Sequence, residues 1–292
     1  LGRCLVTGGC GYVGRALTSR LIEAGYAVRT LDITPEGPEG AEHVQADLRD
    51  YEAIAPAFKG VTTVFHTAAI ISLLGEDLAP PTTTRMVYGV NVRGTENALR
   101  AARDAKVKAF VHTSTMNVVM DHVIDHGDET LPYATDSNDL YTRTKVLAEK
   151  AALSADGEGG VRVCAIRPGG VWGPIAGNMA MESFIVNVAQ AGYDVGIGDG
   201  KSTVDWVHID NLVDAHFEAA KALHERPDDV GGEAYFIVDD EPMNGMAFFF
   251  PLAKALGYGE PKFYLPAGFM KPIAHLMEVV HRFGGPEPPL PL

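Results

Sequence analysis

The chain has 292 residues and a formal net charge of −14, from 24 basic and 38 acidic side chains. That length allows one large domain or two smaller ones around a sizeable core, and the acidic balance argues against a nucleic-acid partner gripped through its phosphates. Cys4, Cys10 and Cys164 are odd in number and lack metal-ligand spacing, so they read as reduced thiols in a cytoplasmic protein without a metal.

The first residues run straight into a strand, Cys4–Thr7, with no leader expected, and no apolar run approaches the roughly 20 residues that span a bilayer. The strand meets Thr7-Gly8-Gly9-Cys10-Gly11-Tyr12-Val13-Gly14, and a helical pattern follows over residues 12–24. Strand, glycine turn and helix in that order make a dinucleotide cradle. Gly8 makes the tight turn, Gly11 admits the pyrophosphate to the backbone, and Gly14 lets helix and strand close up. Tyr12 and Val13 open the helix, whose free N–H groups and dipole favour phosphate. The next strand, Val28–Asp32, ends on an acid. A carboxylate there binds the adenine-ribose hydroxyls and repels a 2′-phosphate, so Asp32 predicts NAD over NADP.

Further strands are expected at Thr63–His66, Ala109–Thr113 and residues 162–166, with helices at 51–58, 85–105 and 140–153. Short apolar strands separated by helices define an α/β protein with a doubly wound, Rossmann-type parallel sheet. Residues 1–170 form this cofactor part. From 171 to 292 glycine and proline become frequent, which reads as a smaller substrate-binding part. A helix at 210–223 and a strand at 234–238 return that part to the core. Asp210 is expected to cap the helix, and His208 and Asp210 to pin it rather than to catalyse. His66 and His112 lie on strands without metal partners and read as structural. The apolar residues at 284–292 would be left uncovered, so the sequence is expected to continue beyond Leu292.

Tyr141 and Lys145 carry the chemistry. Four residues apart on a helix, they share one face. A phenol beside an ammonium is a proton donor and acceptor whose charged form its neighbour stabilises.

Taken together these residues resemble the extended short-chain dehydrogenase/reductase family, and more narrowly its 3β-hydroxysteroid dehydrogenase branch. The carriers are the glycine turn, Val64-Phe65-His66-Thr67-Ala68-Ala69, Asn91-Val92-Arg93-Gly94-Thr95-Glu96-Asn97, His112-Thr113-Ser114-Thr115 and Tyr141 to Lys145. Further carriers are Arg167-Pro168-Gly169-Gly170-Val171-Trp172-Gly173 and Val207-His208-Ile209-Asp210-Asn211-Leu212. The resemblance implies that Asp47 and Leu48 sit at the adenine and that Ala68 and Ala69 line the cofactor. It implies that Asn91 crosses behind the site, with Thr113 near the cofactor, and that Pro168, Gly169 and Val171 face the nicotinamide amide. The family's third catalytic hydroxyl is a serine, and here Thr115 aligns with it. Thr115 offers the same hydroxyl. Strand alternation turns the adjacent Ser114 to the other face, so Thr115 is preferred and Ser114 kept as the alternative.

The implied reaction is NAD-dependent oxidation of a 3β-hydroxysteroid to the ketone. Tyr141 takes the hydroxyl proton, and Lys145 and the oxidised nicotinamide lower its pKa. Δ5–Δ4 isomerisation needs a further acid/base pair that no motif supplies. Rival substrates are a C4-carboxysterol, a 2-alkyl-3-oxo acid and a flavonoid-type ketone. A sugar-nucleotide epimerase is disfavoured, because residues 171–200 contain no Arg or Lys for a substrate pyrophosphate. An NAD-sensing regulator is a different class, against which the Tyr141–Lys145 pair argues. The aromatic and methionine residues at 246–250 and 269–277 read as packing, with a steroid pocket or membrane-facing lid as the alternative. A homodimer through helices 85–105 and 140–153 is expected, and membrane association is left open.

Overall fold

Seven strands form one sheet with every pairing parallel, in the order β11-β6-β5-β4-β1-β2-β3. In chain order the strands are β1 (Cys4–Thr7), β2 (Val28–Asp32), β3 (Glu42–Gln45), β4 (Thr63–His66), β5 (Ala109–Thr113), β6 (Arg162–Pro168), β7 (Gly170–Trp172), β8 (Val195–Ile197), β9 (Thr203–Val204), β10 (Trp206–His208) and β11 (Ala234–Ile237). The computed structural model describes residues 1–266 apart from 78, 123, 138, 192, 193 and 199, together with 268, 272, 276, 277 and 280. Of the residues expected to pack at 269–277, Leu276 and Met277 are exposed, which does not agree with packing, while 269–271, 273–275 and the tail at 284–292 lie outside the described residues.

The central strands are apolar on both sides because both sides are covered. Cys4, Val6, Phe65, Val111 and Ile166 pack on one face with Leu17, Leu21, Leu212 and Val213. Their neighbours Leu5, Val64, Phe110 and Val163 pack on the other with Ile54, Phe58 and Ala98. Alternation with period two therefore divides each strand between two cores. The helices that cover them are α1 (Tyr12–Glu23), α2 (Tyr51–Ile54), α4 (Gly94–Asp104), α5 (Leu140–Ser154) and α7 (Ile209–Glu225), while α3 (Pro81–Tyr88) packs on α5 and α6 (Met179–Ala191) joins a separate apolar cluster with Phe249 and Ala253.

Several boundaries differ from expectation. The helix expected at 51–58 tightens into a 3-10 turn over Ala55–Phe58, where Pro56 has no N–H to give. The helix expected from Arg85 begins at Pro81, whose fixed φ suits a first helical position. It then passes through a π-turn, Gly89–Arg93, before continuing as α4. α7 is capped by His208, whose Nδ1 accepts the Asp210 N–H at 3.3 Å, so the cap lies two residues before the Asp210 expected: His208 is extended and Asp210 already helical. α6, the edge strand β3 and the two- and three-residue strands beyond β6 were not expected, whereas β11 falls at the strand expected over 234–238. β7 pairs with β10, and β11 returns to β6. Phe248 stacks on Trp206 with centroids 3.8 Å apart, and Phe249 on Phe184 at 4.3 Å, which agrees with packing for the aromatics near 248.

Candidate active site

The site gathers at the carboxyl ends of the strands, where β1 and β4 lead to opposite halves of the sheet and the fold opens a crevice. β1 runs into Gly8, at φ +70, where a side chain is strained. A Cβ there would stand 2.6 Å from the Ala68 Cα, so the glycine turn and the loop after β4 touch backbone to backbone. A Cβ on Gly14 would collide with the Gly8 carbonyl. Gly11 caps α1 with no side-chain hydrogen bond, which leaves first-turn N–H groups for an anion. Gly9 is also held to glycine, by the Thr30 Cβ, 2.6 Å from where its own Cβ would be.

Asp32 stands across this loop. Its Oδ2 accepts the Cys10 N–H at 3.0 Å and its Oδ1 the Thr34 N–H at 3.2 Å. A glycine cradle with a carboxylate at the next strand end fits an adenine dinucleotide, so the donor set agrees with NAD. Asp47, just beyond β3, is tied to Arg49, whose hydrogen bond and charge hold its carboxyl below the usual range. Leu48 is buried, and its carbonyl accepts from the Asn97 amide at 2.8 Å. Ala68 lines the Gly8 turn, while Ala69 is exposed. On the far side, Pro168 ends β6, Gly169 lies against the Asp205 carbonyl and Val171 sits in β7.

Asn91 occupies the π-turn and is buried. Its Oδ1 accepts the Ile70 N–H at 2.7 Å, and its Nδ2 donates to the Ile70 carbonyl and the Thr144 hydroxyl, each at 2.9 Å. Single π-turns recur at functional sites, and this one lets the carboxamide clamp the loop after β4 to α5. The clamp continues into the sheet. Thr95 donates to the Asn91 carbonyl at 2.7 Å, so its oxygen accepts from His66 Nε2 at 2.9 Å, and His66 Nδ1 then accepts from the Thr7 hydroxyl at 2.7 Å. A polar chain thus joins the strand before Gly8 to the residue before Lys145.

α5 starts at an Asp139 cap, which accepts the Thr142 N–H at 2.7 Å. Tyr141 follows in its first turn, with its phenol beside the Thr115 hydroxyl, which accepts the Asn117 N–H at 3.3 Å. Ser114 is adjacent but its Oγ is buried without a hydrogen-bond partner, so the structure brings Thr115, not Ser114, to Tyr141. Burial pushes the phenol up to about 12, against the pull of the Thr115 hydrogen bond, and the Asp139 charge adds to the rise. The expectation was that Lys145 and the oxidised nicotinamide lower this pKa; in the chain by itself Lys145 is not among the causes, and the lowering comes from Thr115. The Lys145 Nζ instead donates to the Thr113 carbonyl at 2.5 Å, and burial pushes the ammonium down to about 8 while Glu149 opposes the fall. Sharing a helix face did not put the two groups in contact, because the longer side chain reaches to the strand end. The Thr113 hydroxyl in turn donates to His216 Nε2 at 2.7 Å, since His216 Nδ1 donates to the Leu212 carbonyl at 2.8 Å. That histidine, on α7, was not legible in sequence because its partner lies over a hundred residues away.

These elements define an extended short-chain dehydrogenase/reductase, an oxidoreductase of CH–OH groups that uses NAD. Residues 5–267 match the 3-beta hydroxysteroid dehydrogenase/isomerase family. Over 99% of its length the chain is 40% identical to a Mycobacterium tuberculosis protein named 3 beta-hydroxysteroid dehydrogenase/Delta 5-->4-isomerase, of which it spans 79%. It is 41% identical to a Mycolicibacterium neoaurum 3-beta-hydroxysteroid dehydrogenase, covering 88% of this chain and 71% of that one. A Thermus thermophilus UDP-glucose 4-epimerase complex with NAD superposes with a TM-score of 0.72 at 26% identity, covering 91% of this chain and 86% of the epimerase. The chain belongs to the 3-beta hydroxysteroid dehydrogenase/isomerase family.

Proposed function

We propose that the protein oxidises a 3β-hydroxysteroid or sterol to the 3-ketone. The observation that carries the reading is the Thr115 hydroxyl beside the Tyr141 phenol, with Lys145 fixed one turn further along the same helix. NAD, when bound, supplies the hydride acceptor. The Gly8, Gly11 and Gly14 cradle would hold its phosphates, Asp32 its ribose, and Ala68, Pro168 and Gly169 its nicotinamide end. Thr115 holds the substrate oxygen, and Tyr141 takes its proton. A phenol at about 12 is almost wholly protonated at neutral pH, so ionising Tyr141 depends on positive charge in the assembled site, of which Lys145 is the resident source.

The segment beyond Gly170 is assigned to the substrate. Its lack of Arg and Lys over residues 171–200 favours an apolar ligand over a sugar nucleotide. Purified protein with NAD should form NADH with a 3β-hydroxysteroid and not with its 3α-epimer, with NADP in parallel. Turnover of a 2-alkyl-3-hydroxy acid alone would replace the substrate and keep the chemistry. Appearance of a conjugated enone in the same assay would add isomerisation, which is part of the M. tuberculosis relative's name.

We place the protein in the cytoplasm as a homodimer. No described helix is long and apolar enough to cross a membrane. Met86 on α3 and Leu147 on α5 leave apolar surface exposed on the helices expected to pair. Light scattering at the mass of one chain would refute the dimer.

A further inference from the structure

Lys145 is held by a backbone atom rather than by a side chain. Glu149, four residues along α5, gives its carboxylate to Arg167, with Nη2 to Oε1 at 2.6 Å, and the Lys145 Nζ donates instead to the Thr113 carbonyl at 2.5 Å. The ammonium therefore stands where the end of β5 puts that carbonyl. Pairing with β4 stops one residue short of it, at His66 opposite His112. Thr113 has its strand partner on the β6 side, at Ile166, whose carbonyl accepts the Ser114 N–H at 2.6 Å. A strand end paired on one side is among the least restrained parts of a sheet.

The other restraint comes from α7. Thr113 lies two residues beyond Val111, which packs with Leu212 and Val213 of that helix, so alternation turns the Thr113 side chain to the same face. Its hydroxyl donates to His216 Nε2 at 2.7 Å, and His216 Nδ1 donates to the Leu212 carbonyl at 2.8 Å. Both ring nitrogens of a 0% exposed imidazole are thus engaged. A leucine would pack at such a position without needing any partner. What the imidazole adds is a grip on Thr113. At its own start α7 is fastened to the segment assigned to the substrate. The Asp239 carboxylate accepts both the His208 N–H at 2.8 Å and the Trp172 indole N–H at 2.9 Å. We propose that His216 is a positioning residue, which through the Thr113 hydroxyl fixes the carbonyl that seats the Lys145 ammonium. The proposal rests on the dehydrogenase reading for its effect on turnover, but the seating of Lys145 does not depend on the substrate.

Thr113→Val deletes the hydroxyl and keeps the carbonyl, and His216→Leu deletes the acceptor and fills the core. Each should lower kcat for the steroid about tenfold or more per folded molecule, because a misplaced group in the site costs rate, with the steroid KM changed less than about twofold. The double variant T113V/H216L should fall no further than the lower single, since both break one bond. Thr113→Ser keeps the hydroxyl and should recover most of the loss. A merely structural role would lower resistance to urea and leave kcat per folded molecule where it was. That result, or additive losses in the double variant, overturns the proposal. If His216→Leu fails to fold, Thr113→Val and Thr113→Ser decide between them. Acetylation by acetic anhydride at one pH, followed by mass spectrometry on Lys145 against the exposed Lys59 of the same chain, reads the seating without any substrate. Both single variants should label Lys145 about fivefold faster relative to Lys59, the fold-change of one ordinary hydrogen bond, and an unchanged ratio overturns the proposal. If the wild-type protein turns over nothing in the steroid panel, the substrate reading fails, and the labelling still decides the role of His216.

Discussion

Lowering the pH from about 7.5 to about 5.5 should cost this protein much of its stability through three histidines. His66, His112 and His216 are each 0% exposed. Burial pushes His66 down to about 3 and His216 to about 4, and holds His112 well below its ordinary value. On unfolding, each recovers a pKa near 6.5. The unfolded chain therefore binds more protons as the pH falls through that value. The stability these groups carry is whole above about pH 6.5 and is lost progressively down to their folded values. At about pH 5.5 each has lost roughly 1.4 kcal/mol, about 4 kcal/mol together, against a total of about 5–15 kcal/mol for an ordinary domain. Lys145, with a folded value of about 8, titrates above this window, and the carboxyls of Asp47, Asp121, Asp128 and Asp239 titrate below it. Urea unfolding at the two pH values measures the difference. His112 has no hydrogen-bond partner at either ring nitrogen, so His112→Phe removes one titrating group without breaking a bond and should reduce the loss by about a third. A change below about 1 kcal/mol in the wild type would mean the imidazoles take up protons within the fold, and the reasoning would be wrong.

Tyr141→Phe should reduce kcat by about 10²–10⁴-fold, as loss of a general acid/base does, with NAD affinity preserved; near-normal turnover would remove Tyr141 from the chemistry. Gly8→Ala forces a side chain to φ +70 and against Ala68, and at about 1–2 kcal/mol for the backbone alone it should weaken NAD binding at least tenfold by titration calorimetry. Asn91→Ala leaves the Ile70 backbone and the Thr144 hydroxyl without their partner. Denaturant unfolding should show a loss of about 2–4 kcal/mol, and kcat should fall further than the residual folded fraction explains.

The sheet was legible because β1, β2, β4, β5 and β6 are short apolar runs buried on both faces, and the glycine turn because its spacing serves one geometry. β3 escaped notice as Glu42-His43-Val44-Gln45, an edge strand whose half-exposed side chains carry no apolar signal. The two- and three-residue strands beyond β6 are too short for any period to show. Thr115 could be preferred over Ser114 from alternation alone, since successive side chains diverge wherever backbone stays extended, and Thr115 is extended at φ −162. The direction in which Lys145 reaches could not be read. Spacing sets which face a residue shares, while the atom it meets depends on a strand distant in sequence. The same holds for Arg167 with Glu149 and for His216 with Thr113, pairs whose partners only the fold brings together.

The π-turn at Gly89–Arg93 has a consequence for how this chain can vary in length. Each helical residue turns its successors by about 100°, so deleting one residue there would straighten the helix and swing everything before it by that angle relative to α4. The Asn91 carboxamide would leave Ile70 and Thr144, and Val87, now buried, would be carried out of its place. No single deletion here leaves the site seated. Length at this point is locked, while loops elsewhere on the surface remain free to grow and shrink.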